Sequence, residues 1–309
     1  MRKLTYMLAI TTTLLSACSS GEEGKEKAFL TPLKDEKIDH IHGAGYPGND
    51  EGLYIATHHG VKIYRNGKWY ETIENNHDYM GFQATKEGFY SSGHPEEGSN
   101  LKNPLGLVKS TDKGKKLKKV AFYGESDFHY LATGYNSPAI YVVNSQPNSK
   151  IGQGLYFSED KGETWNLSQL NGMPQTPANS IAAHPEEVGT IGIATQQGLY
   201  LSKDKGNNFK LFSQVQNVTA LSINKESVIY STLSNQKSAL ISKPLNGKEA
   251  EEEIAIPSLD KDDTILFINV NPFNPSKMSF ITKGNDIYLT ENGGRKWNKT
   301  LEDGKITKS

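Results

Sequence analysis

Arginine is scarce in this chain: 309 residues include three, Arg2, Arg65 and Arg295. Cysteine is scarcer, a single Cys18, so no internal disulfide and no thiolate metal site can be assembled. No basic patch stands out from the overall charge balance either. Lysine and arginine number 34 against 35 acidic residues, and on that balance nucleic acid is not an expected partner. Apart from the mostly apolar residues 4–15, too short to span a bilayer, no run approaches membrane-spanning length. What remains, 35% hydrophobic and 22% charged residues, is a globular balance rather than a disordered one.

The N-terminus reads differently from the rest. Arg2 and Lys3 precede the apolar stretch, and "LSAC" closes it at residues 15–18, the arrangement of an export signal. "LSAC" resembles the lipobox of bacterial lipoproteins. The resemblance implies that Cys18 is lipidated and becomes the first residue of a mature chain anchored to the outer side of a bacterial cell membrane. The expected division is a signal at 1–18, a polar tether "SSGEEGKEK" at 19–27 and a folded domain at 28–309. Without Arg2 and Lys3 the balance is 32 basic to 35 acidic residues, a formal charge of −3.

Internal repeats carry the fold. "STDKGKKL" starts at Ser110, "SEDKGETW" at Ser158, "SKDKGNNF" at Ser202 and "TENGGRKW" at Thr290. Successive starts are 48, 44 and 88 residues apart, and 88 leaves room for one decayed unit, "SKPLNGKE" from Ser242. "YRNGKW" from Tyr64 reads as an earlier shortened copy. Trp69, Trp165 and Trp297 share one slot of the unit, with Phe209 and Leu117 as substitutes. Each unit also holds short β-rich runs, such as "SIAAHP" followed by "TIGIATQQ". Counting the runs that enter and leave the repeat, there are four strands per unit. Four antiparallel strands recurring every 40 to 50 residues predict an all-β, six-bladed β-propeller. "FLTPL", residues 29–33, is expected to pair with the last blade, with a seventh, irregular blade as the alternative.

The octet between third and fourth strands has a structural task at every position. Gly114, Gly162, Gly206 and Gly294 supply the reversed backbone. Asp112, Asp160, Asp204 and Asn292 accept backbone amides, with Ser110, Ser158, Ser202 and Thr290 assisting. Trp165, Phe209 and Trp297 bury a ring between sheets. The pattern resembles the Asp-box (BNR) repeat found in sialidases, sortilin-type receptors and photosystem assembly factors, and in bacterial lipoproteins often labelled glycosyl hydrolases. That resemblance implies a propeller whose boxes lie away from the working face, and it says little about activity. Sialidases grip the substrate carboxylate with three arginines, whose planar forks pair with it bidentately. Here Arg2 leaves with the signal and Arg295 sits inside a box, so sialidase activity is rejected.

Seven of the eight histidines precede residue 130: His40, His42, His58, His59, His77, His94 and His129. On a four-stranded blade they fall at the start of first strands or the end of second strands, all on one rim. Hairpin register predicts His42 opposite His58 and His77 near His94. With Asp39, Asp78, Asp127, Glu96 and Glu97 among them, the rim offers imidazole and carboxylate ligands suited to zinc or another divalent metal. His184 belongs to the opposite face and reads as structural. The leading expectation is a lipid-anchored, non-catalytic propeller that binds an envelope protein or a glycan through this rim. The alternatives are a metal-binding surface protein and a glycoside hydrolase working through Asp39, Asp78 or Asp127.

Overall fold

Runs such as "LYIAT" (Leu53–Thr57) and "IGIAT" (Ile191–Thr195) lack polar alternation, and both are buried at every residue. A strand covered on both faces has no side left for polar residues. The cover comes from neighbouring sheets. The computed structural model describes residues 29–34, 37–261 and 263–307, and there the strands form six antiparallel sheets, the blades of a six-bladed propeller. No helix among the described residues is long and apolar enough to cross a membrane. The export signal, Cys18 and the tether at 19–27 lie outside the described residues.

The innermost strands are Gly43–Gly45, Asp78–Thr85, Leu131–Thr133, Ala178–Ala183, Val218–Ile223 and Ile265–Val270. Each touches the next, and the sixth touches the first. Small side chains are needed where the ring is narrowest: a Cβ on Gly45 would stand 2.6 Å from that of Ala84 on the neighbouring blade.

The six blades match the number expected from the repeats, but closure differs from the expectation. Leu30–Pro32 pairs with Lys68–Thr72 of the first blade, not with the last blade. Lys305–Ile306 folds back on the sixth blade's own strand Asn298–Glu302. Each seam blade thus gains a fifth strand from its own side, and the seam itself is filled by side chains. Ile41, Leu53, Ile55 and Trp69 of the first blade share one core with Ile281, Leu289 and Leu301 of the sixth. The Trp69 indole N–H donates to the Thr300 carbonyl at 3.4 Å, and the Ile38 amide donates to the Gly304 carbonyl at 2.8 Å.

The four octet turns share one hydrogen-bond network. In "SEDKGETW" the buried Ser158 Oγ accepts from the Gly162 amide at 2.8 Å and donates to Asp160 Oδ1 at 2.7 Å. Asp160 Oδ1 in turn accepts the Thr164 amide at 2.9 Å. The same bonds recur from Ser110, Ser202 and Thr290. The hydroxyl, expected to assist, lies buried inside the turn: its residue is 1% exposed or less in all four copies. Gly162 adopts φ +95°, and a Cβ there would also lie 2.6 Å from Val120 Cγ1 on the preceding blade. The turn therefore demands glycine twice, for its backbone and for the close approach of two sheets. The two weaker copies lack this network. Residues 65–68 form a tight Asn66–Gly67 hairpin with both central residues left-handed, and the turn after Lys237–Pro244 closes through Gly247 donating to the Pro244 carbonyl.

Truncating the seam indole and an octet hydroxyl should separate in size. Trp69→Ala should cost about 3–5 kcal/mol and Ser158→Ala about 1–3 kcal/mol, read as shifts of the urea midpoint. A Trp69→Ala loss no larger than that of Ser158→Ala would contradict a side-chain seam.

Candidate functional site

Antiparallel order puts two kinds of loop on opposite faces of the disc. The octet turns share one face with the first-to-second-strand turns, including His184, which follows Ala178–Ala183. His184 is 3% exposed, and its Nδ1 accepts the amides of Glu186 and Glu187 at 3.1 and 2.9 Å, an anchoring role. The other face carries the remaining seven histidines. His40 and His42 precede the strand Gly43–Gly45, and His58 and His59 form the turn between Leu53–Thr57 and Gly60–Arg65. His77 precedes Asp78–Thr85, His94 ends Gly88–His94, and His129 precedes Leu131–Thr133.

A cavity of about 610 Å³ runs along the propeller axis between the innermost strands. His42 and His129 line it at the histidine face. On the octet face, Tyr135 of the third blade meets the Phe273 ring of the sixth, centroids 5.9 Å apart. These blades stand three apart in a ring of six, so the contact crosses the axis. Sequence reasoning missed this pair; the one signal was an exposed aromatic between two prolines in "NPFNPS". Tyr46, Tyr79 and Phe128 are core residues, at most 3% exposed.

The expected hairpin register is off by one residue in both blades. Gly43 pairs with Ala56, which sets His42 opposite Thr57 and leaves His58 one step beyond, in the turn. The imidazoles still meet: His42 and His58 stack with centroids 4.6 Å apart and planes 17° apart, and His40 lies 4.6 Å from His58. In the second blade Asp78, not His77, pairs with His94. Such a slip turns neighbouring side chains to opposite sides. His77 is consequently 1% exposed, packs edge-on to Tyr79 and accepts the Glu96 amide at 3.0 Å. It is a packing residue of the blade interface.

Two clusters result. In the first, His42, His58 and Asp78 bring one ligand atom each to within 4.8 Å of one another. His58 Nε2 stands 3.9 Å from Asp78 Oδ1. In the second, Asp127 Oδ2 lies 2.8 Å from His129 Nε2 and 3.4 Å from His94 Nε2. Ser92 and Asn103, unforeseen from sequence, orient this cluster: Ser92 Oγ donates to Asp127 Oδ1 at 3.4 Å, and Asn103 Oδ1 meets His94 Nδ1 at 2.6 Å. Asp39 and His59 stay outside the first cluster. Glu96 accepts the Asn76 amide and Glu97 is exposed. Burial first, then the positive character of neighbouring His58, pushes the His42 imidazole down to about 4, against the opposing pull of Asp78. Burial likewise lowers His77.

No family model matches the sequence, and no curated protein matches it. Solved structures resemble it in fold. The GH74 enzyme of Niastella koreensis superposes with a TM-score of 0.56 at 17% identity, over 89% of this chain and 47% of that one. An ancestral GH74 enzyme gives 0.51 at 14% identity, over 89% and 40%. The chain thus spans less than half the length of these two enzymes, and identities this low concern the fold alone. YCF48 from Cyanidioschyzon merolae gives 0.49 at 15% identity, over 88% of each chain.

The lowered His42 sets a pH dependence. An imidazole in the unfolded chain protonates near 6.5, the folded one near 4. Between these values the unfolded chain binds the extra proton, so stability is complete above about pH 6.5 and declines as pH falls toward 4. Urea midpoints at pH 7.0, 6.0 and 5.0 should decrease in that order, and His42→Gln should flatten the decrease. A variant with the wild-type slope would remove His42 as its source.

Proposed function

We propose that this chain is a non-catalytic binding module, held at the outer side of a bacterial cell membrane by lipid on Cys18. It takes a protein or glycan ligand of the envelope at the histidine-bearing mouth of its channel. One observation carries the reading: the axial cavity reaches the histidine face, where His42 and His129 line it. A cavity with polar groups at its entrance is the form in which concave sites hold small groups or the tip of a larger partner. The octets, read as Asp boxes, keep the opposite face as scaffold. Loops presented on a rigid disc let binding draw on several blades at once.

A glycosidase places two free carboxylates across the scissile bond, one as acid and the other as base or nucleophile. At this mouth Asp127 is held by two imidazoles and a hydroxyl, and Asp78 faces His58. Asp127 is thereby committed within its cluster, which favours binding over hydrolysis.

Two measurements test the reading. Envelope extracts passed over the full chain should yield a ligand that the double variant His42→Ala, His129→Ala releases and Ser202→Ala retains at a temperature where that variant is folded. A panel of extracellular glycans and chromogenic glycosides should show no turnover. Turnover abolished by Asp78→Asn or Asp127→Asn would replace the binding module with a hydrolase. For the anchor, cells fed labelled palmitate should label the wild-type chain and not Cys18→Ala; equal labelling would remove Cys18 as the lipid site.

A further inference from the structure

His42, His58 and Asp78 come from three separate segments: the entry to the first innermost strand, the turn after the second strand, and the opening residue of the second blade. Their donor atoms converge within 4.8 Å. The trio also holds two orphaned atoms. His42 Nε2 and Asp78 Oδ1 are buried without a hydrogen-bond partner in the protein. Leaving a polar atom buried and unpaired destabilises the fold, and here two such atoms belong to the converging trio, with His58 Nε2 3.9 Å from Asp78 Oδ1. A proton between Asp78 and His42 would satisfy one pair and leave His58 aside. A cation satisfies all three at once.

We propose that His42, His58 and Asp78 form a binding site for one divalent first-row transition-metal ion, with zinc as the reference occupant. The inference goes beyond the binding reading above and does not rest on it. Two imidazole nitrogens and one carboxylate oxygen match the three-ligand sets that hold zinc with a fourth position open. The same donors disfavour calcium and magnesium, which select oxygen cages. Bonds of about 2.0–2.1 Å place tetrahedral donors roughly 3.4 Å apart, so the trio must draw together by about an ångström. Rotation about the side-chain bonds of His42 and His58 supplies this, since strand pairing on either side holds the backbone. The stacked rings must also turn out of their parallel arrangement, so the metal-free and metal-bound sites differ in ring orientation. His40, exposed, left-handed at φ +49° and 4.6 Å from the His58 ring, flanks the open fourth position. Because Asp78 belongs to the second blade and both imidazoles to the first, the ion would tie two blades together.

The test uses the full chain in detergent, without a histidine tag, stripped with chelator and then titrated with zinc chloride. Calorimetry and metal analysis after dialysis should give one zinc per chain, and zinc should raise the melting temperature, because an ion that binds the folded state alone stabilises it. His42→Ala and His58→Ala should weaken zinc binding by more than about 100-fold. Asp78→Asn, which keeps the side-chain shape if the alanine variants fail to fold, should weaken it by at least about tenfold. His59→Ala, from the same turn, should bind as the wild type does. Absence of stoichiometric zinc, full uptake by the double variant His42→Ala, Asp78→Asn, or loss of uptake in His59→Ala would overturn the site. Zinc uptake with no recovered envelope ligand would instead leave the metal site standing and remove the binding reading.

Discussion

The ring closes without a strand shared between its first and last blades, and every other feature depends on that seam. Backbone pairing cannot hold it, since the first blade ends outward in Leu30–Pro32 and the sixth in Lys305–Ile306, each hydrogen-bonded within its own sheet. What holds it is a shared apolar core and the Trp69 indole reaching the Thr300 carbonyl. Burial of this kind is non-directional, so the indole hydrogen bond and the Ile38–Gly304 bond supply the alignment that packing alone does not. The first blade lies beside this seam and also carries His40, His42, His58 and His59. The geometry of the mouth is therefore set by packing at the joint.

Architecture was legible because it is written locally and repeated. Four octets with the same Ser/Thr, Asp/Asn and Gly positions announced four turns, and the structure finds one network in all four. Aspartate accepts backbone amides as its chemistry suggests, but only burial shows that the smaller hydroxyl sits inside the turn. Closure was illegible for a different reason. "FLTPL" has the composition of an edge strand, and nothing in five residues distinguishes the first blade's outer edge from the last blade's.

The rim shows where residue spacing stops being enough. All seven histidines were placeable on one face from strand order, which depends on counting strands rather than residues. Which of them meet was not placeable. The pairing of Asp78 with His94 and the irregularity between Tyr79 and Phe82 shift the register by one residue, and that shift sends His77 into the blade interface while bringing Asp78 to the mouth. The Tyr135–Phe273 contact joins residues 138 positions apart across the axis, and no local periodicity encodes it.

The octet turns and the histidine mouth differ in how completely their polar groups are satisfied. On the octet face the turns use nearly every donor and acceptor they own: Ser158 Oγ, Asp160 Oδ1 and Oδ2 and the amides of Gly162, Glu163 and Thr164 are all engaged. A saturated turn gains rigidity and has little left to offer a ligand. At the mouth, buried atoms of His42, His77 and Asp78 go without protein partners, a cost the folded state carries because six blades of apolar packing offset it. Unspent hydrogen-bonding capacity is what a binding site must keep. In this chain the division follows strand order itself, since the loops that lock each blade and the loops that line the mouth leave the sheet at opposite ends.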